Sequence, residues 1–173
     1  RFGDLEVHPF IPSNTGQPEL VRLAKSADVA GYENAWHHDV TWREVPSMGA
    51  ILHAVEVPEL GGDTLFADMY AAYEGLPEDV RARADQLDLV HTFVHTFGGF
   101  LDEDQMATML ATYPPPTHPV VCTHDVTGRK HLYVNRNFAS HIVGVADDES
   151  RQLIDLLARQ ADYPEYQCRF RRD

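Results

Sequence analysis

Short apolar runs bounded by glycine and proline predict β-strands in the first half of the chain. The runs at residues 49–57 and 63–69 are continuous enough to indicate buried strands, and Gly61 and Gly62 lie between them. A third apolar run at residues 87–93 is of the same kind. The sequence therefore predicts three strands between residues 49 and 93.

The second half contains a hairpin pattern and an alternating pattern. Residues 119–123 and 131–135 are apolar segments on either side of Asp-Val-Thr-Gly-Arg-Lys, which predicts a β-hairpin that turns at Gly128. Residues 166–170 carry apolar side chains at every second position, as a half-buried strand does. Three further strands are expected from these patterns.

Three helices are predicted from the residues of their first turns. Pro77 is followed by two acidic residues, an arrangement typical of a helix start. Asp102 and Gln105 have the spacing of a capping box ahead of an apolar stripe. A third helix is expected to begin at the acidic pair 147–148, with leucines at helical spacing after it. Residues 19–26 fit either a helix or a strand.

Strands interrupted by helices, without regular alternation of the two, favour a mostly β architecture with helical insertions, of the α+β class. A β-sandwich or jelly roll fits this order of elements. No repeat or flexible linker divides the chain, so residues 1–173 are expected to form a single domain. The sequence opens at Arg1 without a methionine and ends in an alternating pattern, so we expect an incomplete fragment of a longer domain.

The composition of the chain argues against several classes of binding partner and of protein. The formal net charge is −13, which argues against nucleic acid or an anionic membrane as the main partner, because either needs a basic face. A small anionic substrate in a local basic pocket stays compatible with this charge. The longest apolar runs are too short to span a bilayer and no signal peptide is visible, so we expect a cytoplasmic protein. Two cysteines exclude a disulfide framework.

A candidate metal pair lies in the segment Trp-His-His-Asp-Val. On a strand, His37 and Asp39 share one face, so an imidazole and a carboxylate can bind one metal ion together. With a distant second histidine this gives the two-histidine, one-carboxylate set that holds Fe(II) and leaves positions open. The pattern is common by chance in a chain with 10 histidines and 27 acidic residues, so a solvated histidine and a loop aspartate are the alternative.

The surrounding sequence resembles the taurine dioxygenase family of Fe(II)/2-oxoglutarate-dependent oxygenases. The similarity is carried by "WHHD", "GAIL", "GGDTLF", "HPVV", "GRK", "LYVN" and the helix "ESRQLIDLL", and it covers essentially all of the chain. The resemblance implies a double-stranded β-helix, or jelly-roll, fold. It also implies Fe(II) as the metal and 2-oxoglutarate as the cosubstrate.

Individual site residues follow from the same resemblance. His37 and Asp39 match the first two iron ligands, and His38 fills the variable position between them, which is expected to face the other way. Thr64 matches the residue whose hydroxyl meets a carboxylate of 2-oxoglutarate, a contact that suits a hydroxyl donor. A β-branched strand residue without a functional role is the alternative for Thr64.

Four residues match the substrate pocket of the family: His8, Val40, Phe97 and Phe138. His8 corresponds to the histidine that binds the sulfonate of taurine, and each phenylalanine has core filling as its alternative. Ile11 and Glu33 stand where taurine-specific members carry a tyrosine and an asparagine. These two departures favour a larger and more apolar substrate than taurine.

Two expected residues have no counterpart in this sequence. The distal histidine ligand and the arginine that pairs with 2-oxoglutarate are expected beyond Asp173. His141 and Arg151 imitate their spacing, but the two residues fall in separate predicted elements. The other histidines are interpreted as strand, pocket-edge or hairpin residues, with His95 the one expected nearest to the site because it precedes Phe97 by two positions.

The sequence therefore predicts an Fe(II)- and 2-oxoglutarate-dependent dioxygenase that uses O₂ to hydroxylate a small organic acid. An alkyl sulfonate or sulfate ester is the preferred substrate class, with release of succinate and CO₂. Within the enzyme class, an aryloxyalkanoate or an amino-acid derivative is the alternative substrate. A non-enzymatic jelly-roll binding module with a degenerate metal site is the alternative of another class. A homo-oligomer is compatible with the sequence, which leaves the oligomeric state open.

Overall fold

The structure, a computed structural model, describes residues 3–13, 15–24 and 35–171. Contacts between residues divide the chain into two compact units, 1–35 and 36–173. In the described part of the first unit no helix or strand forms, and residues 19–24 of the ambiguous segment belong to this irregular stretch. The expectation of a single domain stays a prediction.

The first sheet of the second unit pairs the first and the last strand of the described residues. β1 (Thr64–Ala67) pairs antiparallel with β7 (Gln167–Phe170), and Thr64 lies opposite Phe170. An ion pair between Asp63 and Arg169, 3.0 Å apart, lies beside this pairing. The alternating pattern at residues 166–170 correctly predicted a strand.

The second sheet has β2 (Asp88–His91) at its centre, between β3 (Thr117–Pro119) and β6 (Ala139–Ile142), all antiparallel. The β2–β6 register shifts between Val90 and His91. The strand predicted at residues 87–93 is confirmed, whereas β3 and β6 were not foreseen as separate strands.

The predicted hairpin and its turn are confirmed, but the strands are shorter than expected, since Pro119 belongs to β3 and residues 133–135 lie outside β5. β4 (Val121–Thr123) pairs antiparallel with β5 (Lys130–Leu132), and Cys122 lies opposite His131. Gly128 has φ +67°, a left-handed conformation that glycine adopts without steric cost. The turn chemistry therefore set the register of this hairpin.

Five α-helices lie in the described part of the chain: α1 (Met69–Glu74), α2 (Glu78–Ala84), α3 (Val94–Phe97), α4 (Glu103–Thr112) and α5 (Asp147–Ala158). Short 3₁₀ turns occupy Gly98–Phe100, Arg159–Asp162 and Pro164–Tyr166. The three helix starts predicted from sequence are confirmed. Asp102 and Gln105 form the expected capping box, each side chain bonded to the other's backbone N–H.

The hydrophobic core of the second unit lies between the helices and the strands. The apolar side chains buried there come from α1, α2, β2, β5, β6, α5 and the segments between them: Ala72, Leu76, Ala84, Leu89, Val120, Leu132, Val134, Ala139, Ile142, Ile154, Leu157 and Ala158. The core fixes the second sheet and α5 in place. The loops that carry the candidate site are attached to this framework.

Two strand predictions need correction. Residues 49–57 form no strand, and all their apolar side chains except that of Val57 are exposed, 88% for Ile51 and 80% for Val55. A strand needs a hydrogen-bonded neighbour as well as a β-rich sequence, and none pairs with this segment within the described ranges. At residues 63–69 the strand ends at Ala67, because Asp68 accepts the N–H groups of Tyr70 and Ala71 and starts α1.

Sheets and helices together make this an α+β structure among the described residues. The closed jelly roll stays a prediction, since the seven strands there form three small separate sheets. None of the described helices has the length and apolar character needed to cross a membrane.

Candidate metal and cosubstrate site

The candidate metal pair lies on an irregular segment, residues 36–43, which we call the His37 loop. Nε2 of His37 lies 3.3 Å from Oδ1 of Asp39, and the two side chains are 32% and 68% exposed. The loop has no ladder hydrogen bonds, and a turn begins at Asp39. The strand invoked for their shared face is therefore absent, and the two side chains are brought together by a loop instead.

The donor chemistry of this pair fits a divalent iron ion. A separation of 3.3 Å is less than twice a usual metal–ligand bond of about 2.1 Å, so both atoms can bind one ion. Within the described residues, no group of three or more His, Cys, Asp and Glu side chains is arranged to hold a metal. The pair accordingly offers two of the ligands that such a site needs.

His38 lies between the two candidate ligands but turns toward the protein interior. Its ring packs on Tyr133 with a centroid separation of 5.1 Å. Burial lowers the pKa of His38 to about 4, and nearby His131 and His37 act in the same direction. His38 is thus a neutral packing residue at physiological pH, whereas His37 and Asp39 face solvent.

Val40 follows Asp39 in an unusual backbone conformation. Its φ is +49°, in the left-handed region that β-branched residues rarely occupy, and its side chain is buried. Such strain persists only where the surrounding structure holds it in place, and it occurs often at functional sites. The strained residue redirects the chain between the exposed Asp39 and the buried Thr41.

Thr41 is fully buried and bonded by three side chains from elsewhere in the chain. Its Oγ1 lies 2.9 Å from Nδ1 of His91 and 3.4 Å from Nδ2 of Asn135. Its carbonyl oxygen accepts from Nε2 of His118 at 3.0 Å, and the carbonyl of Arg43 shares the same donor at 3.1 Å. The end of the His37 loop is therefore fixed by side chains.

Trp42 anchors the loop through aromatic packing. Its buried ring makes edge contacts with Phe93, Phe97 and Tyr113, at centroid separations of 5.9, 6.5 and 5.2 Å. The guanidinium of Arg43 lies over the rings of Trp42 and Tyr113, at 5.3 and 5.7 Å. The His37 loop thus packs on α3 and on the end of α4.

The two candidate substrate aromatics stack on each other. The rings of Phe97 and Phe138 are 6.4 Å apart and inclined by 24°, with Phe138 buried and Phe97 half-buried. Oδ1 of Asn135 accepts the N–H of Phe138 at 3.0 Å, and Oγ1 of Thr96 donates to the carbonyl of Asn137 at 3.0 Å. Since Phe97 also contacts Trp42, this aromatic pair adjoins the His37 loop.

Thr64, the candidate 2-oxoglutarate residue, begins β1 and is half-buried. It lies on the sheet that β1 forms with β7, next to the ion pair of Asp63 and Arg169. A strand terminus beside a loop is a position from which a hydroxyl can meet a ligand. The contact with 2-oxoglutarate stays a prediction.

His8 belongs to the first unit and is described within it. Its Nδ1 accepts the backbone N–H groups of Phe10 and Ile11, at 3.2 and 3.1 Å. With Nδ1 as acceptor, the proton of the neutral ring is on Nε2, so His8 presents a donor suited to an anionic oxygen. Glu33, the other specificity residue considered with Ile11, lies outside the described residues.

Two histidines that the sequence did not assign to the site, His91 and His118, contact the His37 loop. His91 is fully buried, and burial followed by the neighbouring His118 and His38 lowers its pKa to about 3. The rings of His91 and His118 are 5.2 Å apart and both contact Tyr133. His95, expected nearest to the site, is an exposed residue of α3, and its approach to the site stays a prediction. No local motif distinguishes these histidines, because their roles depend on strand pairing.

The family of taurine catabolism dioxygenases described as TauD, TfdA matches residues 1–172. The chain belongs to this family. Because that match spans nearly the whole sequence, the resemblance recognised from the motifs is confirmed.

Two curated relatives and one solved structure are similar to this TauD, TfdA family member. An "Alkylsulfatase" of Acinetobacter baylyi is 31% identical, over 98% of this chain and 55% of its own length. The "(S)-phenoxypropionate/alpha-ketoglutarate-dioxygenase" of Sphingobium herbicidovorans is 33% identical, over 95% and 60% respectively. A solved structure of a putative alpha-ketoglutarate-dependent taurine dioxygenase from Burkholderia xenovorans has TM-score 0.76 at 31% identity, over 99% and 57%.

The chain spans a little over half the length of these family members. The relatives bear the names of enzymes that act on different organic acids and esters, and two of the names specify alpha-ketoglutarate, which is 2-oxoglutarate. Two of these relatives are thus named as alpha-ketoglutarate-dependent enzymes, and the substrates in the three names differ.

Proposed function

We propose that the protein is an Fe(II)- and 2-oxoglutarate-dependent dioxygenase that hydroxylates a small organic acid. The preferred substrate class is an alkyl sulfonate or sulfate ester, and the products include succinate and CO₂. The observation that carries the proposal is the approach of His37 Nε2 and Asp39 Oδ1 to 3.3 Å within a member of the TauD, TfdA family.

His37 and Asp39 would bind the iron ion through one nitrogen and one oxygen. When bound, Fe(II) with 2-oxoglutarate supplies the oxidising power for inserting oxygen into a C–H bond. The exposure of both side chains keeps them accessible to a metal ion and to small ligands. Asp39 also contributes the negative charge that makes a divalent cation favourable at this position.

Thr64 would donate its hydroxyl to a carboxylate of 2-oxoglutarate. A neutral hydroxyl donor binds an anionic oxygen through a charge-assisted hydrogen bond, without adding a competing positive charge next to the metal. The arginine expected to pair with the other carboxylate has no counterpart assigned in this chain. Thr64 is therefore proposed as one of at least two groups that hold the cosubstrate.

The substrate contacts proposed here are those that the family resemblance assigns to His8, Val40, Phe97 and Phe138. Nε2 of His8 would donate to the sulfonate or sulfate oxygen, since Nδ1 is already occupied as an acceptor. The stacked rings of Phe97 and Phe138, together with the backbone of Val40, would position the alkyl part. A largely apolar surface favours a longer alkyl chain over the compact, zwitterionic taurine.

An aryloxyalkanoate is a second candidate substrate. A relative 33% identical to this chain is named for (S)-phenoxypropionate, and the stacked aromatic pair suits a substrate with a ring. Such a substrate also ends in an anionic group that His8 can bind. The two substrate classes differ in the released product and are separated by direct assay.

The test is an assay of full-length protein with Fe(II), 2-oxoglutarate, O₂ and a panel of acids. The panel contains taurine, longer alkyl sulfonates, alkyl sulfate esters and aryloxyalkanoates, and substrate-dependent succinate is measured. A sulfonate hydroxylated at the carbon that bears sulfur collapses to an aldehyde and sulfite, which provides a second readout. Asp39→Ala is expected to abolish succinate formation, while Asp125→Ala, the same change at an exposed hairpin residue, is expected to retain it.

Absence of substrate-dependent succinate with every acid of the panel would contradict a dioxygenase acting on these classes. Full activity of Asp39→Ala would remove the proposed metal pair from the reaction. A preference for aryloxyalkanoates would keep the reaction and replace the substrate class.

A further inference from the structure

Thr41 lies two residues after Asp39, and side chains from three separate segments bind its polar atoms. His91 comes from β2, His118 from β3, and Asn135 from the segment after β5. His91 and Asn135 contact the hydroxyl oxygen, and His118 contacts the carbonyl oxygen. We call these three side chains the Thr41 clamp.

For two of the hydrogen bonds in the clamp, only one assignment of donor and acceptor is possible. A carbonyl oxygen can only accept, so Nε2 of His118 carries a proton and donates it to the carbonyls of Thr41 and Arg43. Oδ1 of Asn135 accepts the N–H of Phe138, so the amide nitrogen of Asn135 is the group that faces Thr41. Thr41 therefore receives two donors whose orientation is fixed by other contacts.

The third hydrogen bond of the clamp joins Thr41 to His91 in the protein interior. Thr41 and His91 are both fully buried, so neither side chain can exchange its partner for bulk water. The hydroxyl of Thr41 can accept from Asn135 and at the same time donate to Nδ1 of His91, which forms a chain of three bonded residues. Loss of the hydroxyl leaves polar groups of two buried residues without this partner.

The clamp acts at the point where the backbone is strained. Val40, with φ +49°, is the single residue between Asp39 and Thr41. A β-branched residue keeps a left-handed conformation only where its neighbours prevent relaxation to a negative φ. Release of Thr41 would let Val40 relax, and the carboxylate of Asp39 would rotate away from Nε2 of His37.

We infer that the Thr41 clamp positions the His37–Asp39 pair for metal binding, so that Thr41, His91, His118 and Asn135 are positioning residues rather than ligands. The inference rests on the proposed metal site. It adds that metal affinity depends on hydroxyl and imidazole groups that never touch the ion.

The experiment measures the Kd for Mn(II) of full-length protein, from the EPR signal of free Mn(II), together with the unfolding temperature. Thr41→Val removes the hydroxyl at nearly constant shape, and Thr41→Ser retains it. Ser150→Ala is the matched control, because Ser150 is equally buried and its Oγ accepts the N–H of Ile142 at 2.8 Å, in a part of the fold outside the clamp. Asp39→Ala reports whether the metal is bound at the proposed pair.

We expect Thr41→Val to raise the Kd for Mn(II) about tenfold, the lower end of the effect of outer groups that orient metal ligands. Thr41→Ser should restore the Kd to within about twofold of the wild-type value, and Ser150→Ala should lower the unfolding temperature at an unchanged Kd. A folded Thr41→Val protein with wild-type Kd would overturn the inference. An equal rise in Ser150→Ala would also overturn it, since the effect would then follow general destabilisation.

His118 supplies an independent pair of variants should Thr41→Val fail to fold. His118→Leu removes the donor to both carbonyls, whereas His118→Gln places an amide donor near the same position. The inference requires weaker Mn(II) binding in His118→Leu and recovery in His118→Gln, and equal affinities in the two variants contradict it. Wild-type Mn(II) affinity in Asp39→Ala has a separate meaning, because it rejects the proposed metal site itself and the clamp's role with it.

Discussion

Asn135 accepts the backbone N–H of Phe138 through Oδ1 at 3.0 Å, and this bond adds to the Phe97–Trp42 contact between the proposed substrate aromatics and the His37 loop. Because Oδ1 is occupied, the amide nitrogen of Asn135 faces Thr41. The turn that carries Phe138 and the loop that carries Asp39 therefore share a single buried side chain. A change at Asn135 is transmitted to both parts of the site.

Asn135→Leu is expected to destabilise the protein by about 1–3 kcal/mol, because the N–H of Phe138 would lose its acceptor in a buried position. It should also raise KM for the substrate as the turn moves. Asn135→Asp keeps the acceptor for Phe138 and should lose less of the substrate affinity. The measurements are urea unfolding and steady-state kinetics on full-length protein.

The control for this prediction is Asn137→Leu, in the same turn. Asn137 contributes its main-chain carbonyl, which accepts from Thr96 Oγ1 at 3.0 Å, and a side-chain substitution leaves that bond in place. Equal losses of stability in Asn135→Leu and Asn137→Leu would show that the Asn135 amide has no special role.

Features encoded over a few neighbouring residues were predictable from the sequence. The capping box of Asp102 and Gln105 and the hairpin turn at Gly128 each depend on local backbone chemistry, and both are present. The His37–Asp39 pairing is also local, since one residue separates the two. The physical reason assigned to it was wrong, however, because a loop and not a strand aligns these side chains.

Features that depend on distant partners were not predictable in the same way. Residues 49–57 have the composition of a strand, but strand formation requires a pairing that composition does not specify. The contacts of His91 and His118 with Thr41 join positions separated by 50 and 77 residues. Their sequence neighbourhoods contain no signal for this convergence, which results from the β2–β3 pairing.

Removal of the Asp39 carboxylate should abolish succinate formation while the protein stays folded. The side chain is mostly exposed, so its loss removes a metal ligand and costs little folding energy. The unfolding temperature of Asp39→Ala without metal should lie within a few degrees of wild type. A large drop in that temperature would mean that Asp39 has a structural role beyond metal binding.

Acid should weaken the fold through His91. Burial, then His118 and His38, lowers the pKa of His91 to about 3 from 6.5, and the ring also packs on Tyr133. Below pH 6.5 the unfolded chain binds a proton that the folded chain does not bind until about pH 3. Stability contributed by neutral His91 is therefore lost as the pH falls through this window, by about 2 kcal/mol between pH 7 and pH 5.

The measurement is the free energy of unfolding in urea at pH 7 and pH 5 for wild type and His91→Asn. Asparagine places an amide near Nδ1 and can bond Thr41, but it does not titrate in this range. The variant should lose less stability on acidification than wild type, by roughly that 2 kcal/mol. His95→Asn is the control, since it makes the same substitution at an exposed histidine of α3. An unaltered pH dependence in His91→Asn would contradict the assignment.

Taurine should be a poor substrate compared with a longer alkyl sulfonate or sulfate ester. Ile11 and Glu33 stand where taurine-specific family members are expected to carry a tyrosine and an asparagine, and a site without the polar partners of a small substrate binds it weakly. The backbone N–H of Ile11 donates to Nδ1 of His8 at 3.1 Å, so position 11 belongs to the same short turn as the proposed anion donor. We therefore expect the kcat/KM of wild type to favour the longer substrate by at least about tenfold, a difference of about 1.4 kcal/mol.

Ile11→Tyr with Glu33→Asn should narrow that preference by raising kcat/KM for taurine. Ile11→Val with Glu33→Gln is the matched control, because it introduces neither family residue. Efficient taurine turnover by wild type, with no gain in the first double variant, would show that these two positions do not determine specificity.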